Sequence, residues 1–186
     1  MANTYYFNGD DKDFFMKSSW SVWTDASGTL TYVGKTENEK TFSPQIEEVE
    51  WWDNTSGVQS LFVNDICKAG LTVQFMFKQV VEPDILAIAW NLDYDNSDAD
   101  SAYIYHGSNP NTLGEYEWRF VGQSRSGLAI TLVVRKGVCI PNGDWTTGTP
   151  CEFTGIPVMV KAYQDTSITN TKRDLAYWII DKKTSS

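Results

Sequence analysis

The chain has 186 residues, a hydrophobic fraction of 41% and a charged fraction of 21%, which suit one globular domain. The net charge of −9 argues against sequence-specific binding of DNA or RNA, because phosphate-binding proteins depend on Lys and Arg, although acidity also simply aids solubility. The first residues lack a signal pattern and no apolar run approaches the ~20 residues of a membrane span, so we expect no membrane insertion.

Candidate β-strands dominate the first half of the chain. The stretch LTVQFMFK alternates most clearly, because its apolar residues from Leu71 to Phe77 occupy every second position, which predicts one buried face. Ser43-Pro44 predicts a break before the stretch EEVEWWDN. The four candidate strands are Thr29–Thr36, Glu47–Asn54, Val58–Ile66 and Leu71–Lys78.

One segment departs from the β pattern and predicts a helix over about residues 83–92. Pro83 suits a first helical turn, and Asp84 is favoured at the positive end of the helix dipole. Apolar residues then recur at helical spacing from Ile85 to Leu92. The stretch DYDNSDAD, residues Asp93–Asp100, is predicted to be a polar loop.

The second half again predicts short strands, which are separated by turn-rich joints such as SNPNTLG and QDTSITNTKR. Its candidates are Ala102–His106, Glu115–Gly122, Leu128–Lys136, Ile156–Tyr163 and Leu175–Asp181. The whole pattern predicts a mostly β fold, a β-sandwich or partial barrel with one flanking α-helix. Because no linker divides the chain, residues 1–186 are predicted to form a single domain with flexible terminal residues.

Charge is not spread evenly, and two adjacent blocks of the sequence have opposite sign. Residues 79–118 contain eight acids and no Lys or Arg, whereas residues 119–143 contain four basic residues and no acid. The blocks could be complementary within the chain, complementary between identical subunits packed head to tail, or solvated faces with no partner.

The search for catalytic residues finds no convincing pair, and we do not expect an enzyme. His106 is the single histidine, and a lone histidine near a strand end is usually structural. Nothing in the sequence places it beside a cysteine nucleophile. The three cysteines, Cys67, Cys139 and Cys151, lack paired spacing, so free buried thiols are expected, although Cys139 and Cys151 could approach each other across a loop.

Metal and cofactor motifs are also missing from the sequence, and neither a metal nor a cofactor is expected. In the acidic stretch Asp93–Asp100, an EF-hand would need glycine and glutamate where Asp98 and Ile104 stand. A solvated turn is therefore the preferred interpretation of this stretch. No glycine-rich phosphate loop or dinucleotide fingerprint occurs.

The stretch EEVEWWDN places acids beside two tryptophans, which would suit a glycosidase or a sugar-stacking platform. Adjacent residues of a strand point to opposite faces. Trp51 and Trp52 therefore cannot form one flat platform unless the strand bulges there, and the sugar-site hypothesis becomes the weaker one.

Several motifs follow one another in a specific order. The chain runs from YVGKT through SPQIEEVEWWDNTSGVQ and NDICKAGLTVQFMFKQVVEPDILAIAWNL to LAITLVVRKGVCI, GIPVMVKAYQD and LAYWIID. This order resembles the tail tube proteins of long-tailed bacteriophages. Members of that family commonly have a Pro-Glu-rich segment entering a strand, an alternating strand, and then an E-x-x-x-(D/E)-x-L-A helix. The resemblance extends roughly from Tyr32 to Asp181.

The resemblance implies a structural virion protein without enzymatic activity. Copies would assemble into rings, generally hexameric, and the rings would stack into a tube. The tape-measure protein and double-stranded DNA would pass through the lumen, the DNA without tight binding, and other tail proteins would be partners. The expected location is the phage tail, after assembly in the host bacterial cytoplasm.

Two groups of residues are candidates for assembly. We expect one tryptophan of the pair Trp51-Trp52 to anchor the core and the other to meet a neighbouring subunit. The subunit-interface candidates are Trp51, Trp52, Trp90, Arg119, Arg125, Arg135 and Lys136. The candidates for an acidic lumen or a contact between rings are Glu47, Glu48, Glu50 and Asp53.

Two alternative hypotheses stay open from the sequence. A carbohydrate-binding β-sandwich module would be a monomer or a small oligomer, and it would lose binding when Trp51 or Trp52 is replaced. A tail terminator or connector would form isolated rings that never stack.

Overall fold

The fold is taken from a computed structural model of the chain. It describes residues 20–26, 28–34, 36, 39–53, 60–78, 83–90, 92–95, 97–98, 100–105, 114–124, 127–144, 155–169 and 174–181. Within these ranges, the side chains of residues 49–53, 60–68, 83, 85, 93 and 94 lie outside the description.

The described part of the chain is mostly β and has one short helix, which confirms the predicted fold class. The strands are β1 (Ser21–Thr24), β2 (Thr31–Tyr32), β3 (Thr41–Asp53), β4 (Ser60–Phe77), β5 (Asp93–Asp95), β6 (Tyr103–Tyr105), β7 (Tyr116–Gln123), β8 (Ala129–Pro141), β9 (Ile156–Tyr163) and β10 (Ala176–Ile180). The helix α1 is Pro83–Trp90, within the predicted range of about 83–92.

Eight of the strands form one antiparallel sheet in the order β2-β1-β7-β8-β9-β4-β3, with β10 paired to β8. The strands β5 and β6 form a separate hairpin. Strand β8 is the branch point of the large sheet. Its residues 130–134 pair with β10, and its residues 136–141 pair with β9, while β7 runs along its other edge.

A bulge in β8 marks the place where the strand changes partner. Tyr116 is opposite Gly137 and Trp118 is opposite Val134, so Glu117 alone faces both Arg135 and Lys136. The extra residue lets two consecutive cations lie on the solvent side while the residues before and after them, Val134 and Gly137, are buried. Bulges of this kind let one strand pass from one part of a sheet to another.

The sheet curls strongly around its core. If the sheet were flat, β7 and β4 would lie about 14 Å apart, because β8 and β9 separate them. Yet the rings of Phe75 on β4 and Phe120 on β7 are 5.7 Å apart. Phe42 on β3 and Trp178 on β10 are likewise 5.4 Å apart. The inner faces of distant strands therefore meet each other.

The buried residues come mainly from the alternating strands. The prediction for β4 is confirmed, because Val73, Phe75 and Phe77 are all buried on one face. Helix α1 adds the buried Ala89, and its neighbours Ile88 and Trp90 pack against the same core. The helix is apolar apart from Asp84, and its contact with the sheet removes apolar surface from water on both elements.

Three sequence predictions in the first half of the chain were wrong in detail. Pro44 does not interrupt the chain but lies inside β3, which is tolerated because β3 is an edge strand and needs no N–H there for a further neighbour. The two predicted strands Val58–Ile66 and Leu71–Lys78 are one continuous strand, β4, because its ladder with β3 runs through the residues between them. The strand predicted at Thr29–Thr36 contracts to β2 and an isolated bridge between Thr36 and Phe77.

Two further differences arise from strand pairing. The stretch Asp93–Asp95, predicted as a loop, forms β5, because it pairs with β6. Strand β1 was not predicted, since its four residues show too short an alternation to stand out from the sequence. In the second half, β9 has the predicted bounds and β8 extends five residues beyond its predicted end at Lys136, to Pro141.

Candidate functional site

The most prominent feature outside the core is a long two-stranded arm. Within β4, only the residues Thr72–Phe77 pair with β9. The ladder between β3 and β4, however, continues from Pro44-Leu71 to Asp53-Ser60. Among the described residues this outer part of the ladder has no third strand. At the usual rise per residue it is about 35 Å long. We call residues 44–53 and 60–71 the arm.

Six described residues of the arm, 44–48 and 69, are exposed, whereas Gly70 is partly buried and Leu71 packs against the core at the base of the arm. The five consecutive residues 44–48 are all exposed, and consecutive residues of a strand point to opposite faces. Ile46, an apolar residue, is 59% exposed. A two-stranded ribbon on its own is marginally stable in water. A partner that covers the exposed residues 44–48 would therefore stabilise the arm.

The arm carries most of the predicted acidic residues. Its sequence contains five acids (Glu47, Glu48, Glu50, Asp53 and Asp65) and one base (Lys68), so its net charge is 1 − 5 = −4. Glu47 lies directly opposite Lys68 in the ladder. Glu47 and Glu48 are exposed. The side chains of Glu50 and Asp53 lie outside the described residues.

Two bulges shape the arm. Both are on β4, where Cys67 and Phe62 are left without a paired residue on β3. The second bulge falls opposite the step from Trp51 to Trp52. A bulge increases local twist. We predicted that Trp51 and Trp52 point to opposite faces of the strand. Their side chains lie outside the described residues, so this stays a prediction.

A second open feature is the outer edge of β10. Among the described residues β10 pairs only with β8. Three consecutive residues of this strand, Trp178, Ile179 and Ile180, are 47%, 47% and 62% exposed. Their backbone register with β8 is regular from Ala176 to Ile180. In the described ranges, β10 thus has an apolar outer edge to which no other strand is paired.

The oppositely charged sequence blocks meet within the chain at the bulge of β8. Arg119 contacts Glu117 at 2.6 Å, Arg135 contacts the same carboxylate at 3.7 Å, and Lys136 contacts Glu115 at 3.4 Å. Of the three arrangements that the sequence left open, internal complementarity is therefore the one seen here. Arg125, the fourth basic candidate, lies outside the described residues.

Arg135 also connects this charged group to β10. Its guanidinium lies over the ring of Tyr177, 5.0 Å from the centroid. Its Nε is buried without a hydrogen-bond partner. Asp165 lies close enough that Lys136 and Arg135 help to lower its pKa, although hydrogen bonds from Ser167 contribute more to that shift.

Trp90 lies at the last residue of α1 and packs, half-buried, against the protein's own core. Part of the Trp90 side chain is therefore buried by contacts within the same chain.

Cys139 is a buried free thiol, as expected, and burial raises its pKa above the ordinary value. A buried protonated thiol is a poor nucleophile. His106 and Cys151 lie outside the described residues, as does the side chain of Cys67.

The acidic stretch after α1 uses its carboxylates to form turns. The backbone N–H of Ser97 donates to Asp95 and that of Asp100 donates to Asp98, each at 2.8 Å. Hydrogen bonds from Ser97, first from its side chain and then from its backbone, hold the pKa of Asp95 below its ordinary value. Across the described part of the chain, no three His, Cys, Asp or Glu side chains are grouped to hold a metal ion.

The open edge of β10 was not anticipated from the sequence. LAYWIID was predicted as a strand, but its position at a sheet edge depends on pairing with β8, which is distant in sequence. The available signal was the run Tyr177–Ile180, which has no charge, Pro or Gly to protect an edge.

No model of a known protein family matches this chain, and no curated protein matches it either. No helix in the described ranges is long and apolar enough to span a membrane.

Proposed function

We propose that this protein is a structural component of a phage tail, which assembles with copies of itself into rings that stack to form the tail tube. In this proposal residues 1–186 form one domain, whose curled sheet is a β-sandwich or partial barrel. The protein has no catalytic role. It acts in the virion, together with the tape-measure protein and other tail proteins.

The arm is the observation that carries the proposal. Two strands about 35 Å long and about 10 Å across present roughly 350 Å² on each face, or about 700 Å² in total. A specific protein interface buries about 800 Å² on each partner. The arm alone therefore has nearly the surface that a stable contact between copies needs, and it lacks a cover within the described chain.

The acidic character of the arm supports a role beside passing DNA. A channel wall that attracted phosphate would hold the DNA in place, because each Lys or Arg contact with phosphate releases counterions. With a net charge of −4 the arm would repel the duplex. Glu47, Glu48, Glu50 and Asp53 are the residues proposed to face the lumen or the next ring.

The arm can be removed without cutting the rest of the sheet. Because Gln45 is opposite Gly70, a variant in which residues 46–69 are replaced by Asn-Gly closes β3 onto β4 with a two-residue turn. We expect this variant to be a folded monomer with the β-type circular dichroism of the wild type. Wild-type protein at high concentration should form rings or tubes on negatively stained grids.

The grids also separate the competing hypotheses. A wild-type protein that stays monomeric at all concentrations in sedimentation experiments would contradict the proposal. Isolated rings that never stack would identify a terminator or connector instead. Rings formed equally well by the shortened variant would show that the arm is not the assembly element.

A further inference from the structure

We propose that the outer edge of β10 receives the arm of a second copy, which adds as an extra strand to the sheet. This inference rests on the proposed self-assembly and specifies one contact within it. The arm would join through the outer edge of β3, and main-chain hydrogen bonds would continue the sheet from one copy to the next.

The pattern of exposure on β10 indicates a missing neighbouring strand. Trp178 lies in the same cross-strand row as the buried Leu132 and Phe120, so it is on the inner face of the sheet. Ile179, the next residue, is on the outer face and is equally exposed. If a partner covered only one face, every second residue would be open. Both faces are thus partly open here, although the Trp178 ring contacts Trp20 and Phe42 on the inner face. The lateral edge away from β8 has no paired strand among the described residues.

This edge also lacks the features with which proteins normally block strand pairing. Such edges usually carry charged residues, Pro, a bulge or a covering loop. The residues of β10 from Ala176 to Ile180 contain no charge and no Pro, and their register with β8 has no bulge. Within the described part of the chain, no strand pairs with the backbone N–H and C=O groups on the outer side of β10.

The occupant must itself offer a free strand edge of sufficient length. Among the described residues, the other open strand edges belong to β2, to β3, to the arm part of β4 and to the hairpin β5–β6. The strands β2, β5 and β6 have two or three residues and are too short to cover the five of β10. Both strands of the arm are long enough, and β3 is the one that carries the exposed Glu47 and Glu48. Pairing of β10 with another β10 would be two-fold symmetric and would end at two copies. Pairing of β10 with β3 joins unlike surfaces and continues from copy to copy.

Local charge favours the same occupant. Arg135 lies against Tyr177 of β10, and its contact with Glu117 is long because Arg119 binds that carboxylate at 2.6 Å. An arm added beside β10 would bring one of two exposed, consecutive glutamates, Glu47 and Glu48, to the outer face. That carboxylate would supply Arg135 with a further acidic partner, beside Glu117 and the nearby Asp165.

A photo-crosslinking experiment tests which surfaces meet. A benzoyl-phenylalanine replaces Ile179, isotope-labelled and unlabelled copies are mixed, and the assembled protein is irradiated and analysed by mass spectrometry. We expect crosslinks between copies to connect the β10 peptide with the peptide containing residues 41–53. Crosslinks from β10 to another β10, to the peptide of β2, or to other surfaces would overturn the inference.

An edge-blocking variant provides the second measurement. Ile179→Lys places a charge in the middle of the open edge, and we expect at least a tenfold loss of assembled protein, with the circular dichroism and thermal midpoint of the monomer unchanged. Tyr103→Lys is the matched control, because Tyr103 is also an exposed apolar side chain, 50% open, but lies on β6. It should assemble like the wild type.

The outcomes separate this inference from the proposed function. If the wild type does not assemble, the proposed function fails. If the wild type and Ile179→Lys assemble equally, the function stands and the β10 contact is wrong. If Tyr103→Lys is as defective as Ile179→Lys, the loss is not specific to the edge, and the β10 contact is also wrong.

Discussion

Gly137 and Trp118 show how one position limits the packing of the core. Trp118 is fully buried, and its indole N–H donates to the carbonyl of Gly137 at 3.1 Å. A Cβ atom at residue 137 would lie 2.6 Å from the Trp118 ring and 2.7 Å from Val160. The absence of a side chain at Gly137 therefore lets the largest buried ring lie against the bulged strand.

Gly137→Ala is expected to destabilise the fold by about 1–3 kcal/mol, because the added methyl overpacks a rigid buried site. The measurement is the free energy of unfolding from urea denaturation. Gly70→Ala is the matched control, since a Cβ there would meet only Gln45 at ordinary contact distances of 3.5 and 3.6 Å. It should change the stability by no more than about 0.5 kcal/mol. Equal costs for both variants would contradict this account.

Among the secondary-structure elements, the bulge of β8 determines where acids of one charge block meet bases of the other. Because Glu117 faces two residues of β8, Arg135 comes within reach of Glu117 on β7, and Lys136 comes within reach of Glu115 just before β7. The same bulge lies where β8 passes from β10 to β9. The charged group therefore marks a corner of the sheet, and its ion pairs lie on the surface of a single chain.

The pair Lys136–Glu115 offers a test of this internal complementarity. Lys136→Glu should lower the free energy of unfolding by less than about 1 kcal/mol, because both side chains are substantially exposed. The double change Lys136→Glu with Glu115→Lys should recover most of that loss. Denaturation at low and high salt provides the check, since the effect should shrink as salt screens the charges.

A failure of the double variant to recover stability would show that the ion pair contributes nothing to the fold. The charge reversal also bears on assembly. If the basic residues serve contacts between copies as well, the double variant would regain stability while its assembly is still impaired.

At the scale of the whole molecule, acidity and the arm are connected in the proposed tube. The net charge of the chain is −9, and the arm contributes −4 of it. A ring of such copies would present many carboxylates in a confined channel, where like charges repel DNA strongly. We therefore propose that the DNA passes through the tube without being held by its wall.

Glu47→Lys with Glu48→Lys should convert assembled tubes into DNA-retaining ones. Each substitution changes the charge by +2, so every copy gains +4. Filter binding of double-stranded DNA should rise for the variant and fall again with added salt. Glu39→Lys with Asp144→Lys makes the same change at exposed positions outside the arm. Equal retention by both variants would mean that the arm does not line the channel.

Local patterns in the sequence were sufficient for some of these elements. The alternation of Leu71–Phe77 predicted the buried face of β4, and the Pro83-Asp84 start with helical spacing predicted α1. Both depend on contacts within a few residues. By contrast, Pro44 was misjudged as a break, because its effect depends on whether β3 is an edge strand.

The sequence by itself determined that the protein is mostly β with one short helix, because periodicity and turn residues are local properties. It also showed one block with acids and no bases beside one with bases and no acids. Only the tertiary structure decided that Glu115 and Glu117 pair with cations of the basic block, that β3 and β4 extend beyond β9 as an arm, and that β10 has, among the described residues, no strand on its outer edge. Each of these depends on which distant strands pair, and strand pairing is set by the packing of the whole sheet around its core.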